Sequence, residues 1–197
     1  ILTVIAGRTL GPEAFGQYNS LLSFATALSI FFLLGNEVSS VRYLADKQYE
    51  NKREEIFTTT ITIVLFQSAL FSLLYYIFFD FIKVKFALSS DLLLAAIIFS
   101  FLLAIKSLFD GFLRAFHLIK KQSFIRIIDA LLALFSFLFF YYFLNKTEYY
   151  FYIIAVSLGL LSFSALSLYL LFGNIKKFSF EAMKLLFRYN KYLIIGT

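Results

Sequence analysis

The sequence predicts an all-α, polytopic membrane helix bundle, and three observations carry that prediction. Of the 197 residues, 61% are hydrophobic and 21% are aromatic, and the mean hydropathy is +0.84. The apolar residues form continuous runs, unlike the alternating ten-residue segments of a β-barrel. Most of these runs are long enough for a hydrocarbon core of about 30 Å. With no cysteine and one histidine, the chain offers no thiolate or two-histidine metal site, so no metal or cofactor is predicted.

The first two predicted helices are joined by a tight turn. Residues 1–10 cover about 15 Å, so they are interpreted as the end of a helix that begins upstream, and the chain as a segment of a longer protein. Gly11 suits a helix C-terminus and Pro12 suits the first turn of the next helix, predicted at 12–45. One face of that second helix, about 140° wide, is polar. It contains Asn19, Ser23, Thr26, Ser29, Asn36, Glu37 and Ser40.

Further apolar runs predict the rest of the bundle. The third helix is predicted at 56–79 and the sixth at 149–172, and neither contains a charged residue. A charged connector at 46–55 precedes the third helix, and a short loop at 80–91 precedes the fourth. The fourth helix is predicted at 92–118 and the fifth at 123–144. A turn is predicted at 145–148. An interfacial helix at 178–188 and the start of a seventh membrane helix at 189–197 complete the chain.

The fourth predicted helix carries charges inside an apolar segment. Lys106, Asp110 and Arg114 are spaced i, i+4 and i+8, which places them on one helical face. A charged side chain at mid-bilayer costs about 2.5–3.5 kcal/mol, whereas a Leu or Phe contributes only about 0.3–0.6 kcal/mol. The helix is therefore marginal alone in lipid. Its charged face is either a self-neutralising structural triad or the wall of a polar pathway.

Charges on four predicted helices indicate one shared polar space. Because ionised groups are tolerated only toward a bundle interior or a wet cavity, the first, second, fourth and fifth helices should border that space. The uncharged third and sixth helices are then expected to face lipid. The alternative is a set of interhelical salt bridges, such as Glu37 or Asp129 with Lys106. The predicted lining residues are Arg8, Glu37, Lys106, Asp110, Arg114 and Asp129.

Basic residues are distributed unequally between the helix ends. One side receives thirteen: Arg42, Lys47, Lys52, Arg53, Arg114, Lys120, Lys121, Arg126, Lys176, Lys177, Lys184, Arg188 and Lys191. The other side receives four: Arg8, Lys83, Lys85 and Lys146. The positive-inside rule predicts that the richer side and the N-terminus are cytoplasmic.

Two stretches resemble a known family. Residues 6–18 (AGRTLGPEAFGQY), followed by Leu34-Gly35 and by VRYLA at 41–45, resemble the N-terminal signature of prokaryotic polysaccharide-unit flippases. These are the O-antigen and oligosaccharide translocases of the multidrug/oligosaccharidyl-lipid/polysaccharide exporter superfamily. Residues 111–116 (GFLRAF) resemble their fourth helix. The resemblance implies a partial N-terminal lobe of a transporter of twelve to fourteen helices, which moves polyprenyl-pyrophosphate-linked oligosaccharide units across the cytoplasmic membrane by alternating access.

The resemblance also implies roles for the charged residues. Arg8, Lys106 and Arg114 are expected to bind the pyrophosphate of the substrate. Glu37, Asp110 and Asp129 are expected to line the cavity or to couple transport to protons or sodium. The expected partners are the lipid-linked oligosaccharide, the bilayer and polysaccharide-assembly proteins, but no nucleic acid.

Two other functions fit parts of the sequence. A multidrug or cation exporter of the same superfamily would have a cavity dominated by acidic residues. A membrane enzyme of polysaccharide assembly, such as a polymerase or ligase, would usually have a large outer loop, and here the predicted outward loops are short. The sequence also lacks a G-x-S-x-G motif, so no enzymatic activity is expected.

Overall fold

The computed structural model describes residues 2–86, 89–144 and 148–195. Within these residues every regular element is helical and none is a strand, which confirms the all-α prediction. Some residues used in the predictions lie outside the described residues. They are Ile1 of the first helix, Lys146 of the count of basic residues, and Gly196 and Thr197 of the seventh helix. Most of the predicted turn at 145–148 lies outside them as well.

The described part of the chain forms nine α-helices and two short 3-10 helices. The α-helices are α1 (Leu2–Thr9), α2 (Gly11–Leu33), α3 (Asn36–Ala45), α4 (Arg53–Ile77), α5 (Phe79–Phe86), α6 (Ser90–Ala115), α7 (Ile119–Tyr142), α8 (Tyr149–Leu171) and α9 (Phe180–Ile195). The 3-10 helices are Lys47–Lys52 and Phe172–Asn174.

Within the described residues, four helical segments are long and apolar enough to cross a membrane. They are Lys47–Ile77, Ser90–Ala115, Ile119–Tyr142 and Tyr149–Asn174. The α2–α3 pair passes the same test only when the two helices are taken together across a 53° bend. The chain is therefore an all-α, multi-pass membrane bundle. We call the end where α6 ends and α7 begins the basic end, because Arg114, Lys120 and Lys121 lie there.

The single helix predicted at 12–45 is broken in the structure. Leu34 and Gly35 both adopt left-handed backbone angles, with φ of 41° and 78°. Glycine tolerates this region without a steric penalty, so Gly35 permits the break that the polar stripe did not reveal. The Asn36 amide donates to the Leu33 carbonyl at 2.9 Å and to the Gln67 Oε1 at 2.8 Å, which satisfies groups exposed by the bend.

Two other predicted segments differ from the structure. Part of the loop predicted at 80–91 is the helix α5, whose Asp80 lies in the first turn and whose Lys83 and Lys85 lie in the last. That arrangement complements the helix dipole. The predicted interfacial helix and the start of the seventh helix form one helix, α9. Ala182, Leu186 and Asn190 are buried at a four-residue spacing along it.

The uncharged α8, predicted to face lipid, exposes only one face, where Leu161 and Tyr169 are 49% and 80% exposed, and buries the other in the bundle. It packs against α2, α6 and α7, and its Tyr152 and Phe163 are almost fully buried. Gly159 explains the close approach to α7. A Cβ at this position would lie 2.5 Å from the Oδ1 and 2.8 Å from the carbonyl oxygen of Asp129. Small residues drive helix packing in membranes, and a lack of charge does not specify lipid exposure.

The start of α9 is fixed to the start of α4. The Lys176 and Ser179 amides donate to the hydroxyls of Thr58 and Thr59 at 2.8 and 3.0 Å. Lys52 pairs with Glu181 at 2.6 Å. This hydrogen-bonded pairing with Lys52 lowers the pKa of the exposed Glu181 carboxyl below its usual value.

Candidate functional site

A polar cleft of about 550 Å³ lies between α2, α6 and α7. Each helix contributes a face that the rest of the described bundle leaves open. α6 and α7 each supply two of the charged residues, and α2 supplies hydroxyl groups. The lining residues are Thr26, Ser29, Leu103, Lys106, Ser107, Asp110, Arg126 and Asp129.

Lys106 and Asp129 form the innermost ion pair of the cleft. The Lys106 Nζ lies 2.5 Å from the Asp129 Oδ2 and 5.3 Å from the centre of the Phe163 ring. The Lys106 and Asp129 side chains are 30% and 13% exposed, so water reaches the lysine more readily than the carboxylate. Because Gly159 lets α7 approach α8, the Asp129 carboxylate sits against the α8 backbone.

Asp110 is the most heavily hydrogen-bonded acid of the cleft. Arg126 binds it through two nitrogens, with Nε 3.0 Å from Oδ1 and Nη2 2.7 Å from Oδ2. The buried Gln122 donates to Oδ1 at 2.8 Å, and the Arg114 Nη2 lies 3.8 Å from Oδ2. Forked arginine–carboxylate pairs fix geometry as well as charge. The carboxylate of Asp110 is thus held in one orientation by α6 and α7 together.

Glu37 extends the ionic network beyond the cleft toward the basic end. Its Oε2 accepts a hydrogen bond from the Ser107 hydroxyl at 2.6 Å, and its Oε1 lies 3.3 Å from the Arg114 Nη2. Gly111 makes room for α3 beside α6. A Cβ on Gly111 would lie 3.2 Å from the Glu37 Cγ and 2.9 Å from the Val41 Cγ2.

The charges of this network balance. Glu37, Arg114, Asp110 and Arg126 form a connected chain, and Lys106 with Asp129 forms a separate pair. Three carboxylates thus face three cations, with no net charge. Breaking a buried pair costs more than forming one gains, so partnered charges are the arrangement expected at membrane depth. The salt-bridge alternative raised by the sequence therefore describes the ground state of these residues.

Arg8 does not lie with the other predicted residues. It is exposed near the end of α1, just before α2 begins at Gly11. Thr26 of the cleft is about 22 Å further along α2. The prediction of one shared space is therefore wrong for Arg8, because α1 ends at the opposite end of the bundle. Among the residues described, no ion pair or hydrogen bond involves its guanidinium.

The sequence interpretation missed two residues of the site. Arg126 entered only the count of basic residues on the predicted cytoplasmic side, and Gln122 was not singled out. Both lie on the Asp129 face of α7, since Gln122 and Arg126 are four residues apart and Arg126 and Asp129 are three. That spacing was the available signal. In the described part of the chain, no group of three or more potential ligands is placed to hold a metal.

A comparison with protein families covers the whole sequence. The family model described as "Polysaccharide biosynthesis protein" matches residues 1–197. The chain belongs to this polysaccharide biosynthesis family. No curated protein and no solved structure gave a match. Family membership and the membrane-spanning helices together fit a membrane transporter or a component of polysaccharide assembly.

Proposed function

We propose that the protein is a flippase, which moves polyprenyl-pyrophosphate-linked oligosaccharide units across a prokaryotic cytoplasmic membrane by alternating access. The observation that carries the proposal is the open, charged cleft of about 550 Å³ within a membrane-spanning bundle of a polysaccharide biosynthesis family. Such a cleft is costly in a bundle that only has to be stable, because partnered charges rarely improve on apolar packing.

The cations in and beside the cleft suit a pyrophosphate. The Arg126 and Arg114 side chains are 55% and 52% exposed, so their remaining N–H groups are accessible. Guanidinium groups bind phosphate oxygens through paired donors, and the Lys106 ammonium adds a point charge deeper in the cleft. Arg126 is thus added to Lys106 and Arg114, the phosphate ligands that the sequence predicted for this region. Arg8 stays a predicted phosphate ligand at the opposite end of the bundle.

The α2 wall suits a sugar. The hydroxyls of Ser23 and Thr26 donate to carbonyls of their own helix, at 2.9 and 2.7 Å. Each oxygen keeps lone pairs that can accept from sugar hydroxyls. Asn19 and Ser20 are also exposed on this helix and continue the polar surface toward the opposite end. A glycan extending from a pyrophosphate bound near Arg126 would follow this surface.

The acids offer a way to drive the cycle. Because the six ionic groups carry no net charge, release of a cation by its carboxylate would strengthen the binding of an anionic substrate. Protonation of Asp129 would free Lys106, and proton or sodium binding at Glu37 or Asp110 would act similarly on Arg114 and Arg126. Transport coupled to protons or sodium is therefore part of the proposal.

The remaining assignments follow from the transport role. The basic end and the N-terminus are assigned to the cytoplasm, where the substrate is made. No enzymatic step is assigned to the protein. Proteins of polysaccharide assembly are proposed as partners, because they supply the lipid-linked unit and use it after transfer. A cation exporter is a weaker alternative, since every acid of the network already has a cationic partner.

Complementation of a strain that lacks its polysaccharide-unit flippase tests this function. The unaltered protein should restore surface glycan, whereas Lys106→Gln and Arg126→Gln should reduce it at equal membrane abundance. Lys184→Gln, on an exposed lysine of α9, is the matched control and should behave as the unaltered protein. Full glycan display by both cleft variants would overturn the proposal. Export of cationic dyes that depends on Asp110, with no effect on glycan, would favour the cation exporter.

A further inference from the structure

A second, apolar groove of about 380 Å³ lies between α7 and α8 at the basic end. This volume is in the range of about 300–1,000 Å³ that is typical of small-molecule pockets. Along α7 the groove extends from Lys120 to Ile128, about 12 Å of helix. Its lining residues are Lys120, Lys121, Phe124, Ile125, Ile128, Leu166, Tyr169 and Leu170.

The groove is separate from the cleft. At 100° per residue, its lining face on α7 is centred about 140° away from Arg126 and Asp129. The groove therefore opens on the outer surface of the bundle, where Phe124 is 64% and Tyr169 is 80% exposed. In a membrane this surface meets acyl chains.

Two lysines stand at the basic end of the groove without partners. Neither Lys120 nor Lys121 forms an ion pair with any residue that the structure describes. Their aliphatic stems contribute to an almost wholly apolar lining, which leaves the ammonium groups for the membrane surface. Both residues are also in the first turn of α7, where the helix dipole favours an anion. Tyr169 of α8 adds an aromatic residue of the type enriched at membrane interfaces.

We propose that this groove binds an anionic glycerophospholipid from the leaflet at the basic end. The lipid phosphate pairs with Lys120 and Lys121, and one acyl chain lies between Phe124, Ile128 and Leu166. Charge complementarity selects this occupant, because a zwitterionic lipid gives the two lysines less electrostatic attraction. A bound lipid here covers the α7–α8 contact that also positions Asp129.

A tryptophan reporter tests the proposal, since this chain contains no tryptophan of its own. Phe124→Trp places the reporter in the groove, and Phe135→Trp is the matched control, because both phenylalanines of α7 are 64% exposed. Each purified variant is reconstituted in vesicles that contain brominated phosphatidylglycerol or brominated phosphatidylcholine. Bromine quenches tryptophan on contact, so the quenching ratio measures lipid preference at each site.

The lysines are then changed in the Phe124→Trp background. The variant Lys120→Gln/Lys121→Gln removes the proposed phosphate contacts. The control Lys47→Gln/Lys177→Gln removes the same charge from exposed lysines outside the groove. At about fivefold per lysine, the preference for phosphatidylglycerol should be up to about 30-fold at Phe124→Trp and near unity in the Lys120/Lys121 variant. The Lys47/Lys177 control should show the full preference. The Phe135→Trp reporter should show almost no preference.

Three results would overturn the proposal. One is equal quenching of Phe124→Trp by both lipids. Another is an equal loss of preference in the two double-lysine variants, which would indicate general surface charge. The third is lysine-dependent displacement of phosphatidylglycerol by a polyprenyl pyrophosphate, which would assign the groove to the transported substrate.

Discussion

Removal of both partners of the Lys106–Asp129 pair should destabilise the bundle less than the sum of the two single removals. Asp129→Leu leaves the Lys106 ammonium beside α8 without a counterion, and Lys106→Met leaves the Asp129 carboxylate alone. In the double variant Lys106→Met/Asp129→Leu, both sites hold apolar side chains. Replacing a whole ion pair with apolar groups is often neutral, whereas breaking one is not.

The exposure of the pair sets the expected size of this effect. Fully exposed pairs contribute about 0.2–1 kcal/mol, and breaking a buried pair costs about 3–5 kcal/mol. With side chains 30% and 13% exposed at a separation of 2.5 Å, the pair lies between these classes. We expect each single variant to lose about 1–3 kcal/mol of unfolding free energy. The double variant should recover about 1–2 kcal/mol relative to the sum of the singles.

Equilibrium unfolding of the four proteins in detergent micelles measures this coupling. Lys184→Met on the exposed face of α9 controls for the loss of a lysine and should change stability by less than about 0.5 kcal/mol. Additivity of the two single variants within about 0.5 kcal/mol would refute the reasoning, because it would mean that the two charges do not interact.

Three further predictions concern packing, the helix break and the α4–α9 contact. Gly159→Ala should lower the melting temperature by an amount that corresponds to about 1–3 kcal/mol, since its Cβ would lie 2.5 Å from the Asp129 Oδ1. The control is Gly16→Ala, whose Cβ would meet nothing within 4 Å. This control should leave the melting temperature unchanged or raise it. Equal melting of both alanine variants would contradict the close approach. Asn36→Ala should cost about 1–3 kcal/mol by calorimetry, because buried amides of Gln67 and Asn190 lose partners, whereas the exposed Asn19→Ala should cost little. Because the Glu181 pKa is lowered in the folded state, the salt bridge with Lys52 stabilises the α9 contact above the usual glutamate pKa of about 4.3 and is lost as pH falls through the lowered value. As pH rises through that window, the backbone amides of α9 should therefore become better protected from hydrogen exchange in the unaltered protein but not in Glu181→Gln. The same increase in protection in both proteins would contradict this assignment.

The charged stripe of α6 illustrates what the sequence alone could predict. The cost of Lys106 and Asp110 in lipid required polar neighbours, and the i, i+4 spacing placed both residues on one face. Which neighbours they have depends on how α7 is rotated against α6. That rotation depends on Gly159 and on side-chain fit over several helices, so the forked contact from Arg126 to Asp110 was not accessible from the pattern.

The errors have related causes. The polar stripe of 12–45 continues across Leu34 and Gly35, so periodicity alone could not reveal a bend that the Asn36–Gln67 hydrogen bond stabilises. Absence of charge suggested that α8 faces lipid, but only one of its faces does so, because its small residues admit neighbouring helices on the other. Arg8 was grouped with the cleft by its charge, although the chain direction of α1 puts it at the opposite end.

The central claim is that water and substrate reach the cleft between α2, α6 and α7, and thiol accessibility tests it most directly. The sequence contains no cysteine, so Thr26→Cys in the cleft and Phe135→Cys on the outer surface of α7 each introduce one thiol in this chain. Maleimides react with the thiolate, which needs water to form. In intact membranes, Thr26→Cys should react with a membrane-impermeant maleimide much faster than Phe135→Cys, and lipid-linked oligosaccharide should slow it. Equally slow labelling at both positions would contradict the account.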